Sequence, residues 1–202
     1  MSRQSNPYRR QIGQRSERKV LIVCEGEKTE PNYFKAFQTN EELIRVEILG
    51  LGMNTDSLVE YAIGLKREAE AKKEPYSVVW CVFDRDSFQP NQFNRAIQLA
   101  RSKQIKTAYS NEAFEIWYIL HFEYHQTRSS RNMYEGKLTK LLGSKYEKKN
   151  PNMYAKLKDK QSDAIRNAKQ LLANYPNHNP ESDNPCTTVH ILVKFLNDYI
   201  ED

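Results

Sequence analysis

The chain has 202 residues, 39% hydrophobic and 28% charged, a balance that fits one folded domain with a modest appendage and excludes a disordered polymer. At this length folding buries roughly 70% of the extended chain's surface, so no disulfide or structural metal is needed. The net charge is +5; with no apolar run near the ~18 residues of a membrane span and no apolar stretch behind the basic start MSRQSNPYRR, neither a span nor a secretory leader is expected.

Residues 1–17 are polar and lack an apolar period, which predicts a flexible basic arm. KVLIVC (19–24) is a continuous apolar run, as in a strand buried on both faces. EGEKTEP follows, with Pro31 suited to the first turn of a helix running into NYFKAFQ. VEIL (46–49) predicts a short strand ending at GLGMN. Thr55 or Asp56 then caps the helix SLVEYAIGLKREAEAKKE, whose Leu58, Ala62, Leu65 and Ala69 recur at three- and four-residue spacing. YSVVWCVF (76–83) predicts a second buried strand, FNRAIQLARSK an amphipathic helix and IKTAYS (105–110) another strand. Strand and helix alternate four times, the pattern of a parallel α/β sheet.

From Ala113 the texture changes. FEIWYILHFEYH predicts a helix apolar nearly all round, and therefore buried. EGKLTKLLGSKYE, AKLKDKQSDAIRNAKQLLANY and TTVHILVKFLNDYI predict further helices, the last after an ordered loop, NYPNHNPESDNPC (174–186). The expected organisation is an arm over 1–17, an α/β core over 18–125 and a helical extension over 126–202 packing on it. Cys24, Cys81 and Cys186 form no CxxC pair, and they predict reduced core thiols in a cytoplasmic protein.

Charge is unevenly spread. Residues 1–19 hold six basic side chains against Glu17, and residues 128–160 hold ten against three acids, leaving −7 on the remainder. An acidic body with basic extensions suits a phosphate-backbone binder with a cation-binding centre; either run alone also reads as a solvated face. Arg128, Arg131, Lys145, Lys148 and Lys149 are the candidate nucleic-acid contacts. Tyr134, Tyr146 and Tyr154 interleave them, either to stack on unpaired bases or to pack between helices.

In parallel α/β sheets ligands bind beyond the carboxyl ends of the strands. KVLIVC runs into Glu25, and YSVVWCVF into Asp84-Arg85-Asp86, whose aspartates share one side of an extended backbone. If the two strands are neighbours, three carboxylates converge, and a divalent cation relieves their repulsion. Oxygen-only ligands suit Mg²⁺ or Mn²⁺. The bland alternative is a set of capping or turn-forming acids. Glu27 interrupts the Gly-Lys-Thr run that a P-loop needs. His121 and His125 have zinc spacing but no third ligand, and read as packing histidines.

A glutamate after the first buried strand and a DxD after a later one resembles the Toprim fold of topoisomerases, primases and overcoming-lysogenization-defect nucleases. CEGEKTEPNYFKAF, VFDRDSF, SNEAFEIWYILHFE and NPCTTVHILVKFL together resemble, in order, blocks of the RloB-like family found near restriction and phage-defence genes. The resemblance implies a Toprim-like α/β fold with a helical C-terminal part. It also implies a Mg²⁺- or Mn²⁺-dependent nuclease effector acting on RNA, tRNA included, or on DNA, with a defence-system protein as possible partner. On the Toprim pattern Glu25 is the general acid–base or a metal ligand, and Asp84 and Asp86 are the metal pair. Lys28, beside the site, either offsets phosphate charge or is a solvated loop lysine. Asn111 and Glu115 are candidate auxiliary ligands or orienters, because Glu115 on an apolar helix needs a partner; a buried, hydrogen-bonded structural role is the alternative. A non-catalytic nucleotide- or partner-binding regulatory module is the competing function.

Overall fold

The apolar run after Lys19 becomes an interior strand. A computed structural model of the chain describes residues 19–37, 44–48, 55–85 and 91–201; the predicted arm, the GLGMN loop and Asp86 lie outside them. Strand β1 (Val20–Cys24) is buried throughout and pairs in parallel with β2 (Ile44–Ile48) and β3 (Val78–Asp84). β4 (Lys106–Asn111) continues the parallel ladder beyond β3, and β5 (Cys186–Thr187) adds antiparallel to β4. The strand order is β2-β1-β3-β4-β5. Being paired on both edges and covered on both faces explains why β1 and β3 read as continuous apolar runs.

Side chains alternate across this sheet. Leu21, Val23, Val79, Cys81 and Phe83 pack with Leu58, Ala62, Phe93 and Ala96 of α2 (Thr55–Ala71) and α3 (Gln92–Ser102). Val20, Ile22, Cys24, Trp80 and Val82 face the other layer. That layer holds α1 (Thr29–Lys35), α4 (Glu115–Leu120), α5 (Arg131–Leu142), α6 (Met153–Leu157), α7 (Gln161–Ala173) and α8 (Val189–Glu201). Leu138, Leu157, Leu171, Leu192 and Leu196 are fully buried with Trp80 and Trp117 in one continuous core. The fold is thus α/β, a mostly parallel sheet between helical layers, with helices filling the C-terminal part.

Three elements depart from the sequence pattern. The helix expected over 114–125 is buried as predicted, but it stops at Leu120, whose carbonyl accepts a hydrogen bond from Asn167 Nδ2 of α7 at 2.8 Å. The single helix expected over 155–175 is broken by a 3₁₀ turn at 158–160. Thr187, read as helical, lies in β5, where its Oγ1 accepts from the Val189 amide at 3.2 Å at the start of α8. The cysteines are buried and free, and burial pushes the Cys81 and Cys186 thiols up to about 12.

Because Leu192 of α8 shares its core with Trp80 of β3, Leu192→Ala should cost about 2–5 kcal/mol of whole-protein stability in urea unfolding. A loss below about 1 kcal/mol, or a separate early transition, would show that α8 is peripheral.

Candidate active site

Register delivers the first two acids. Cys24 pairs with Val82, so Glu25 and Asp84 emerge at neighbouring strand ends on the edge where α/β sheets bind ligands. The Glu25 amide donates to the Val82 carbonyl at 3.0 Å, extending the ladder by one step. Asp84 has the parity of Trp80 and Val82, so it turns toward the layer containing α1, α4 and α5. There Arg131, the first residue of α5, donates from Nη2 to Asp84 Oδ2 at 2.9 Å. Asp84 is 4% exposed, whereas the Arg131 side chain is 33% exposed. A buried charge is therefore matched by a partner that reaches solvent.

Glu30, in the first turn of α1, was not singled out by sequence. It is 5% exposed, and its carboxylate folds back over Gly26, where any β-carbon would collide with it. Burial pushes its carboxyl up to about 7, against a hydrogen bond from its own amide; Glu115 and Glu25 push it further up and Arg131 pulls it down. Glu115, at the start of α4, is 2% exposed and accepts a hydrogen bond from the Tyr146 hydroxyl at 3.0 Å. That phenol is held well above its usual range, by burial first and then by Glu115. The Tyr118 hydroxyl donates to the Thr29 carbonyl at 3.2 Å, tying α4 to the start of α1. Sequence offered a partial signal for Glu30: a glycine four residues ahead of it. As a helix first-turn acid, however, it also had an ordinary explanation.

The remaining candidates spread outward. Lys28 is exposed just before α1. Asn111 turns away from Arg131; its Nδ2 donates to the Pro180 and Glu181 carbonyls at 3.1 Å each. Glu181 in turn receives the Arg85 Nε–H on its carbonyl at 3.2 Å and the Asn91 amide on its carboxylate at 2.7 Å. Arg128, Lys145 and Lys149 are exposed, and Lys148 pairs with Glu135 at 2.8 Å. The 145–149 stretch lies beside α1, with Asn32 Nδ2 donating to the Lys149 carbonyl at 3.4 Å. Tyr134 and Tyr146 are buried, and the Tyr154 ring packs 4.8 Å from Phe37, so these tyrosines are helix contacts. His121 Nδ1 lies 2.8 Å from the Trp117 carbonyl, and burial lowers its pKa to about 4. His125 bonds Ser129 at 3.2 Å. Both histidines are spent on local structure.

Glu25 and Asp84 are oxygen donors of the kind a hard divalent cation takes, and Asp84 is a buried carboxylate that already requires a positive partner. Among the described residues, no three His, Cys, Asp or Glu side chains are grouped to hold a metal. Asp86, the third member of the expected set, lies outside them.

An α/β protein with acids gathered at the carboxyl ends of parallel strands, backed by buried helices, is the class that fold and site define. The chain belongs to the RloB-like protein family, whose model matches residues 20–196. No curated protein and no solved structure matches it. No helix among the described residues is long and apolar enough to cross a membrane.

Glu30 yields a signed pH dependence. Its folded pKa, about 7, lies above the ordinary 4.5, so between those values the folded state holds the extra proton. Its contribution to stability falls as pH rises through that window and stays lost above it. Glu30→Gln should remove this slope, gaining stability over the parent at pH 8 relative to pH 5 in urea midpoints. Equal changes at both pH values would contradict it.

Proposed function

We propose that this chain is a divalent-cation-dependent nuclease effector of antiviral defence, cleaving a phosphodiester in RNA (tRNA among the candidates) in preference to DNA. The observation that carries the reading is the placement of Glu25 and Asp84 at the carboxyl ends of adjacent parallel strands. Membership of the RloB-like family supports it, as does the resemblance of the Glu25 and Asp84-Arg85-Asp86 pattern to the Toprim fold. Glu25, Asp84 and Asp86 would hold Mg²⁺ or Mn²⁺, which when bound offsets phosphate charge and activates water.

The chain's own residues supply the rest. Glu25, half-buried at the strand end, exchanges a proton with the attacking or leaving oxygen. Lys28, exposed nearby, offsets charge on the phosphate. Tyr146 fixes Glu115, and Asn111 anchors the 180–181 backbone beside Arg85; both are orienting roles. Residues 18–125 form the chemical core, and the extension 126–202 carries the grip, with Arg128, Lys145, Lys148 and Lys149 on phosphates. A second reading, a non-catalytic nucleotide- or partner-binding module, is favoured by one observation: Asp84 has a protein counter-ion in Arg131.

Cleavage of total RNA and of plasmid DNA with and without Mg²⁺ separates the two readings. Glu25→Ala should lower metal-dependent cleavage by about 10²–10⁴-fold while leaving the melting temperature nearly unchanged. Undiminished cleavage in that variant, or none by the parent chain with any divalent cation, sinks the enzyme reading.

For the grip, Lys145, Lys148 and Lys149 replaced together by Gln should weaken binding across sequences. The log–log salt slope on single strands should flatten by roughly two units, about 0.7 per lost phosphate contact. An unchanged slope would make this charge a solubilising face and move the grip elsewhere.

A further inference from the structure

Resting on the nuclease reading of this centre, we propose that Arg131 is a displaceable counter-ion. Its guanidinium holds Asp84 when no cation is bound, yields that carboxylate to a divalent cation, and turns to a phosphate of the substrate. Asp84 ends β3 at 4% exposure, and a carboxylate so placed is costly without a positive partner. Arg131 Nη2 supplies that partner at 2.9 Å from Oδ2. A divalent cation binds a carboxylate oxygen at about 2.0–2.2 Å for Mg²⁺, and a guanidinium kept at 2.9 Å on the same carboxylate would repel it.

The two partners are placed differently. Asp84 is fixed by a ladder strand, paired with Ser110 across β3 and β4. Arg131 opens α5 after the irregular stretch 123–130, and a third of its side chain meets solvent. The neighbouring Arg85 contacts Glu181, at 3.2 Å to the carbonyl and 3.7 Å to the carboxylate, while the Arg131 guanidinium faces Asp84. Glu30 also feels Arg131 electrostatically, so a released guanidinium stays within an acidic surround that a cation has newly offset. An incoming phosphodiester then presents the anion whose geometry a guanidinium fork matches.

The test uses the full chain and Mn²⁺ alone, read by calorimetric titration and by thermal shift, in the parent, Arg131→Gln, Arg131→Lys and Asp84→Asn. Arg131→Gln should bind Mn²⁺ about tenfold tighter than the parent, and Mn²⁺ should raise its melting temperature more. Asp84→Asn should lose the Mn²⁺ response. With Mn²⁺ present, Arg131→Gln should bind a non-cleavable single strand more weakly than the parent does. Because Arg131→Gln strands a buried carboxylate, it is expected to be unstable without Mn²⁺; recovery of folding on Mn²⁺ addition supports the proposal. Arg131→Lys, with its single-point contact, should bind Mn²⁺ with an affinity between the other two.

Equal Mn²⁺ affinity in the parent and both Arg131 variants overturns the counter-ion role, as does the absence of Mn²⁺ binding in all of them. Those affinities need no turnover. A parent that binds Mn²⁺ in this pattern yet cleaves nothing refutes the nuclease reading and not the exchange at Asp84. A cleaving parent with Arg131-independent Mn²⁺ affinity does the reverse.

Discussion

Negative charge buried at the ends of parallel strands must be compensated, and much of this molecule's architecture answers to that constraint. Glu25 and Asp84 arrive there by strand register, and Glu30 and Glu115 are added from the first turns of α1 and α4. Three of the four are handled in different ways. Asp84 is paired with Arg131, Glu115 accepts the Tyr146 hydroxyl, and Glu30 is driven toward its neutral form. Structural acids are normally held below their usual pKa by partners; Glu30 is raised instead, by burial first and then by the neighbouring carboxyls.

The helical layer serves this corner. α4 is buried on every side; its Tyr118 ring packs 5.7 Å from Tyr33 of α1, and Phe114, just before α4, packs 5.9 Å from Phe34. This packing sets Glu115 beside Glu30, and Gly26 removes the side chain that would keep Glu30 out. α5 brings Arg131 to Asp84, and the turn after it brings Tyr146 to Glu115. The C-terminal residues close the other side. Glu181 binds both Arg85 and Asn91, and Tyr109, His178 and Asp183 are linked through hydrogen bonds of 2.7 and 2.6 Å.

The sheet was legible because its strands are buried on both faces: KVLIVC and YSVVWCVF lack polar alternation, and their lengths exclude long helices. The two strand-end acids were legible for the same reason, since a strand's carboxyl end can be read once the strand is known. β5 was not, because two residues carry no period. Arg131 appeared within a basic run and read as a phosphate contact; only the return of α5 over the strand ends brings it to Asp84. Glu30 was silent, and the buried tyrosines Tyr134 and Tyr146 left two readings open, for a related reason. Helical spacing fixes a residue's face but not the element that face meets, and long-range packing decides whether a tyrosine stacks on a ligand or fills a core.

On the proposed reading, the acids at the ends of β1 and β3 form a cation centre. Diffraction from crystals soaked in Mn²⁺, recorded where manganese scatters anomalously, locates that cation. An anomalous peak is expected within coordination distance of Glu25 and Asp84, with the Arg131 guanidinium withdrawn from Asp84. A fully soaked crystal with no peak there, and Arg131 still bonded to Asp84, would contradict it.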